Sequence, residues 1–411
     1  MSKAVWLGFP ALTMSLGWGL RGYIGGGPLG AMIPGAMVAL ALCLLLGRRA
    51  RPDACAVAAA FGAVGVGFGG QMTYGQTIGL SLVAETAAWG LLGLTLKGAV
   101  WGLLGGAVAA IGLQGPQTLA RANRVASLAL ILGCAVGWRF INEPKLVYFS
   151  DPANKPRAEI WAGLTLAAIA YLAVHRNRVA GSFGWIGMIG GGLGFGIGGA
   201  IHAWARTSGM TAPVDWWKVM EFTFGAMFGA ALGYAAWKHR ERIATVDEDP
   251  ARLHWFALCA LIPLGIAAEE KLPFRFSYTV VGAVLLPFAA LNARFAWQCA
   301  ITMTYAAFAF DFLESRKDWD QTMLWLAVCW TSAGVLYLVD RKRSEPLFLF
   351  LFLTWVAVAD SHLKSWMPPF VWESPASWAH ATVEVVFTLQ AVAVTWLAYR
   401  IAGDKLVAES K

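Results

Sequence analysis

Arg21 stands in SLGWGLRGYIGGGPLGAMIPGA, residues 15–36, after one apolar stretch and just before three consecutive glycines and a proline. A guanidinium in that setting has two uses: it can snorkel to lipid headgroups, or it can hold an anionic group beside glycine backbone. The glycines also invite comparison with a phosphate loop. However, GxxxxGK[ST] is missing, as is the strand–loop–helix setting such a loop requires. Close helix packing accounts for them better, because small residues let backbones approach.

Downstream, GGQMTYGQ supplies Gln71, Thr73, Tyr74 and Gln76. Glutamine and tyrosine can bind polar ligands without the full desolvation penalty of an ion, and they also serve plain helix–helix hydrogen bonding. Glu221 lies several residues inside the apolar segment DWWKVMEFTFGAMFG, where a carboxylate must pair, protonate or meet water. Glu143 follows Arg139 in GWRFINEPKLVYFSDP, and Asp360 lies in VADSHLKSW. Six residues are therefore candidates for binding a solute: Arg21, Gln71, Tyr74, Glu143, Glu221 and Asp360. Arg21 suits an anionic group, the Gln/Tyr pair suits hydroxyls or amides, and Glu221 or Asp360 suits a coupling cation or proton. Glu269, Glu270, Asp311, Glu314 and Glu384 form a further acidic set near predicted helix ends.

Stricter catalytic patterns are absent. There is no HExxH, EF-hand, GxSxG or kinase set, the six histidines form no recognisable cluster, and the six cysteines show no CxxC spacing. Neither a cofactor nor a metal is expected. No catalytic residue stands out.

The elements that must position these groups are membrane helices. The composition is 58% hydrophobic and only 14% charged, well below the roughly 25% charged of a water-soluble domain. Apolar stretches recur near 4–20, 28–47, 54–80, 86–113, 125–141, 158–174, 179–205, 214–238, 253–268, 276–291, 293–312, 320–339, 345–361 and 380–400. Each is about long enough for a hydrocarbon core of roughly 30 Å. The expected fold is all-α, a polytopic helical bundle of about 14 transmembrane helices, with 12 as the lower bound.

Of the 32 Lys/Arg, 19 fall in the loops sharing a side with the termini, which places both termini in the cytoplasm. The expected location is a bacterial inner membrane. The net charge of +8 is spread through short loops rather than gathered on one face, which argues against nucleic acid. The first helix reads as retained rather than as a cleaved leader.

GVGFGGQMTY at 65–74 resembles GFGIGGAIHA at 194–203, and GAVWG at 98–102 resembles GAMFG at 225–229. A parallel four-helix repeat follows, with residues 1–120 and 121–245 as its copies, a six-helix region at 253–403 and a short tail at 404–411.

This organisation points first to a transporter for a small polar or anionic solute, coupled to protons or sodium. An integral membrane enzyme acting on a lipid-linked or periplasmic substrate is the alternative, prompted by the acidic helix ends and by SWMPPFVWESPASW at 365–378. A scaffold subunit of a membrane complex is the third. The partners expected are membrane lipids and either that solute or the lipid-linked substrate; the sequence leaves the oligomeric state open.

Overall fold

The computed structural model describes residues 1–23, 27–47, 52–114, 120–150, 159–210, 214–243, 345–366 and 378–409, with isolated positions between 320 and 341. These residues are largely helical, with no strand among them. The helices are α1 (Lys3–Arg21), α2 (Gly27–Leu46), α3 (Pro52–Gly69), α4 (Gly75–Ser81), α5 (Ala87–Leu113), α6 (Ala120–Gly137), α7 (Trp161–His175), α8 (Arg178–Thr207), α9 (Trp216–His239), α10 (Pro346–Trp366) and α11 (Trp378–Glu409). A π-helical turn, Trp138–Asn142, extends α6.

Five of the described segments are long and apolar enough to cross a membrane: Ala87–Leu113, Ala122–Asn142, Arg178–Thr207, Trp216–His239 and Ala381–Gly403. Their outward faces fit that role. Val125, Leu128, Leu132 and Val136 on α6, and Trp185, Ile189, Leu193 and Ile197 on α8, are exposed at three- and four-residue spacing. Apolar stripes of this length call for an apolar surrounding or a partner. The predicted spans at 253–268, 276–291 and 293–312 lie outside the described residues, as do half of 320–339, residues 367–377 of the 365–378 loop, and Glu269, Glu270, Asp311 and Glu314.

Six helices pack as a ring in the order α1, α2, α3, α5, α8, α9, and α9 closes it against α1. The α6–α7 pair lies outside against α5, while α10 and α11 lie against α1 and α2. Glycine sets the ring's spacing. On α5, Gly98 and Gly102 meet Gly191 and Gly187 of α8 backbone to backbone, and a Cβ at any of the four would overlap the facing helix. Gly35 of α2 and Gly62 of α3 meet in the same way. Gly225, Gly229 and Gly233 of α9 sit on the carbonyls of Met14, Pro10 and Trp6 in α1. Such spacing replaces side-chain interlocking with dispersion and Cα–H···O contact.

The third predicted span, read as continuous over 54–80, is broken. α3 ends at Gly69, and the chain unwinds over Gly70–Tyr74 before the seven-residue α4. Two side chains of α5 explain the break. Trp101 Nε1 donates to Val66 O at 2.8 Å, on the carbonyl that would serve the Gly70 amide in a continuing helix. Gly70, Gln71 and Met72 instead turn back onto Gly67, Phe68 and Gly69, three residues earlier. Lys97 Nζ then donates to Thr73 O at 2.6 Å. Gly69 fits this corner because a Cβ there would run into the Trp101 indole.

Candidate functional site

The break in α3 faces the end of α1 and the start of α9, and between them lies a cavity of about 800 Å³. Its walls include Arg21, Tyr23, Tyr74, Gln76, Trp217, Lys218 and Glu221. Arg21 ends α1 yet is only 5% exposed, so it does not snorkel out of the bundle. Its Nη1 donates to Tyr74 Oη at 2.6 Å, and that hydroxyl donates to Glu221 Oε1 at 2.8 Å. Trp217 Nε1 also donates to Oε1, at 3.1 Å, while Lys218 Nζ binds Oε2 at 2.5 Å and Gly19 O at 2.9 Å.

Glu221 is therefore shared among three donors, whereas Arg21 retains donors to spare. Among the described residues its Nη2 reaches only Gly27 O, at 3.4 Å, and its buried Nε has no hydrogen-bond partner. The guanidinium carbon lies 5.2 Å from the ring centroids of both Trp18 and Tyr74 and 5.5 Å from that of Trp101. The aromatic rings hold the cation by their quadrupoles without consuming its N–H groups. Tyr74 is braced in turn by stacking on Trp217 and by an edge contact with Phe195.

Just past α1, the Tyr23 phenol is pushed well above its ordinary pKa, first by burial and then by the Glu384, Asp215 and Glu221 carboxylates. It therefore lines the cavity as a neutral hydroxyl. The lining carries two formal positive charges, Arg21 and Lys218, against the single negative charge of Glu221. The Asp215 and Glu384 carboxylates also act on this region, through Tyr23, without being part of the lining.

Of the six candidates read from the sequence, Arg21, Tyr74 and Glu221 meet directly. Gln71 lies in the unwound turn outside the lining, and Gln76, at the start of α4, is the glutamine that faces the cavity. Glu143 is on an exposed surface, paired with Arg139 one helical turn away. Asp360 is buried on α10, away from the cavity lining. On the next residues Ser361 donates to Glu384 Oε1 at 2.9 Å, and His362 Nδ1 pairs with Glu384 Oε2 at 2.9 Å.

Two lysines take parts that were not anticipated. Lys218 supplies the cavity's second cation, and its signal in the sequence is its place one turn before Glu221. Lys97, 1% exposed, holds the unwound segment from below. Among the described residues, no three His, Cys, Asp or Glu side chains are grouped to hold a metal ion.

Tyr74→Phe removes both hydrogen bonds that join Arg21 to Glu221. The expected cost is about 1–3 kcal/mol of stability, measured by thermal unfolding in detergent, because both groups are left buried with fewer partners. Trp217→Phe, which removes one longer bond, should cost less. Equal melting temperatures for Tyr74→Phe and the parent would show that the bridge carries no energy.

No family model, curated protein or solved structure matches the chain.

Proposed function

We propose that the chain is a membrane transporter and that the cavity among α1, the α3–α4 break and α9 binds a small organic monoanion, with Arg21 taking its carboxylate or equivalent group. The observation that carries this reading is the buried Arg21, whose Nε is unpartnered among the described residues in a cavity lined by two cations, Arg21 and Lys218, and one carboxylate, Glu221. A buried guanidinium with donors to spare favours a planar anion, which it can meet with two parallel N–H···O bonds. Tyr74 and Trp217 offer flat apolar walls for the rest of the solute, and Gln76 and Tyr23 offer neutral polar contacts. A helix broken beside a binding cavity is also the usual way in which transporters bring polar groups into the bilayer.

In this reading both termini are cytoplasmic, and the cavity lies toward the opposite side of an inner membrane. The internal repeat belongs to the same proposal. The glycine stripe Gly98, Gly102 and Gly106 on α5 recurs as Gly225, Gly229 and Gly233 on α9, and each stripe is used as a packing face.

The enzyme reading draws less support. Ser361, His362 and Glu384 are the right residue types for nucleophilic catalysis, but Ser361 gives its proton to Glu384 and not to the imidazole that would have to remove it.

The test is a counterflow assay in proteoliposomes, run with a panel of carboxylates, amines and neutral polyols, and paired with thermal-shift measurements on purified protein. Small monocarboxylates are expected to exchange and to raise the melting temperature. Exchange confined to amines or polyols would overturn the anion assignment, and stabilisation without exchange would overturn transport.

A further inference from the structure

A second buried cluster lies beneath the break. Lys97 is ten residues along α5 from its first residue, about 15 Å down the helix axis. Its Nζ donates to Thr73 O at 2.6 Å, Thr77 Oγ1 at 2.7 Å and Glu159 Oε1 at 3.1 Å. Each of these atoms is an oxygen aimed at one point. Thr77 gives its own proton to Phe149 O at 2.8 Å, which leaves its lone pairs toward the lysine. Ser150 Oγ donates to Glu159 Oε1 at 2.7 Å and fixes the carboxylate. Two further oxygens, Glu159 Oε2 and Thr73 Oγ1, are buried without a hydrogen-bond partner.

A carbonyl freed by an unwound helix, a threonine hydroxyl and one carboxylate are the ligands from which membrane proteins build monovalent cation sites. The charge agrees as well. The cage holds a single formal negative charge, so a monovalent cation makes it neutral, whereas a divalent one would leave an uncompensated charge in an apolar interior.

We infer that the Thr73–Thr77–Glu159 cage is an alkali-cation site that the chain fills with its own tethered ammonium, Lys97. The lysine does the work of a bound ion: it draws the unwound Thr73 carbonyl against α5 and so sets the position of Tyr74, the next residue. The protein then needs neither sodium nor potassium at this break. This inference concerns the ion requirement of the fold and does not depend on the transport reading.

The test removes the tether. Purified Lys97→Ala and the parent are melted in sodium, potassium and choline chloride at equal ionic strength. Lys97→Ala is expected to melt about 5 °C higher in whichever alkali ion suits the cage than in choline, at an ion concentration near a hundred times its Kd. The parent is expected to melt at the same temperature in all three salts. Lys97→Ala/Glu159→Gln, with the charge of the cage removed, should fold and lose the response. A parent that gains stability from sodium or potassium would overturn the proposal, because its cage would then not be filled. It would also be overturned by a Lys97→Ala protein indifferent to all three salts. The same holds if Lys97→Ala fails to fold in every salt while the double variant folds, since Lys97 would then be only the partner of Glu159. Sodium and potassium arms separate the two ions by size, and no transport measurement enters.

Discussion

Arg21→Met should lower the affinity for a small carboxylate by about a hundredfold, as measured by calorimetry or a thermal-shift titration on purified protein, while the protein remains folded. Removing one member of a buried charge pair costs about 3 kcal/mol, and 1.4 kcal/mol is a factor of ten. The fold is expected to survive because Glu221 keeps Tyr74, Trp217 and Lys218, and methionine fills the same space between the Trp18, Tyr74 and Trp101 rings. Without Arg21 the formal charge of the lining falls to zero, so affinity for neutral solutes should change far less than affinity for anions. Arg21→Lys restores the charge but not the planar fork, and should recover only about one factor of ten. Unchanged carboxylate affinity in a folded Arg21→Met protein would remove Arg21 from the binding site.

Gly102→Val is expected to eliminate the folded protein, with the product degraded or aggregated on size-exclusion chromatography. A Cβ at Gly102 already overlaps the carbonyl of Gly187, and the extra methyls of valine would force α5 and α8 apart along their whole contact. Gly102→Ala should be recoverable but less stable by about 1–3 kcal/mol, the usual cost of overpacking. Gly181 supplies the control on the same partner helix. Nothing lies within 4 Å of a Cβ built there, so Gly181→Ala should be neutral or slightly stabilising through helix propensity. If both alanine variants melt together, the seam tolerates separation.

The sequence made the helices legible because length and hydropathy alone mark a span: the apolar stretches at 4–20, 28–47, 86–113 and 214–238 coincide closely with α1, α2, α5 and α9. Arg21 and Glu221 were legible for a related reason, since an ion in an apolar segment needs a partner. What one-dimensional reading lacked was rotation and the break. Gln71 and Gln76 look equivalent in GGQMTYGQ, but Trp101 and Lys97 unwind the intervening turn and direct Gln76, not Gln71, to the cavity. Lys97 itself passed as a solitary charge within a span, because its partners Thr73, Thr77 and Glu159 come from segments up to 62 residues away. Glu143 drew notice for its dense polar neighbourhood, and that neighbourhood supplied its surface partner Arg139.

The closing of the helix ring by α9 against α1 also has a meaning in time. Gly19 and Lys218 are 199 residues apart, so at about 5–20 residues per second the ribosome takes on the order of 10–40 s to deliver the partner of α1 after α1 itself has emerged. For that interval the Arg21–Tyr74 pair lacks Glu221, and the carbonyl-lined face of α1 has no glycine stripe to meet. The α9-facing side of α1 is therefore seated long after its α2-facing side. Only with α9 in place is the ring closed.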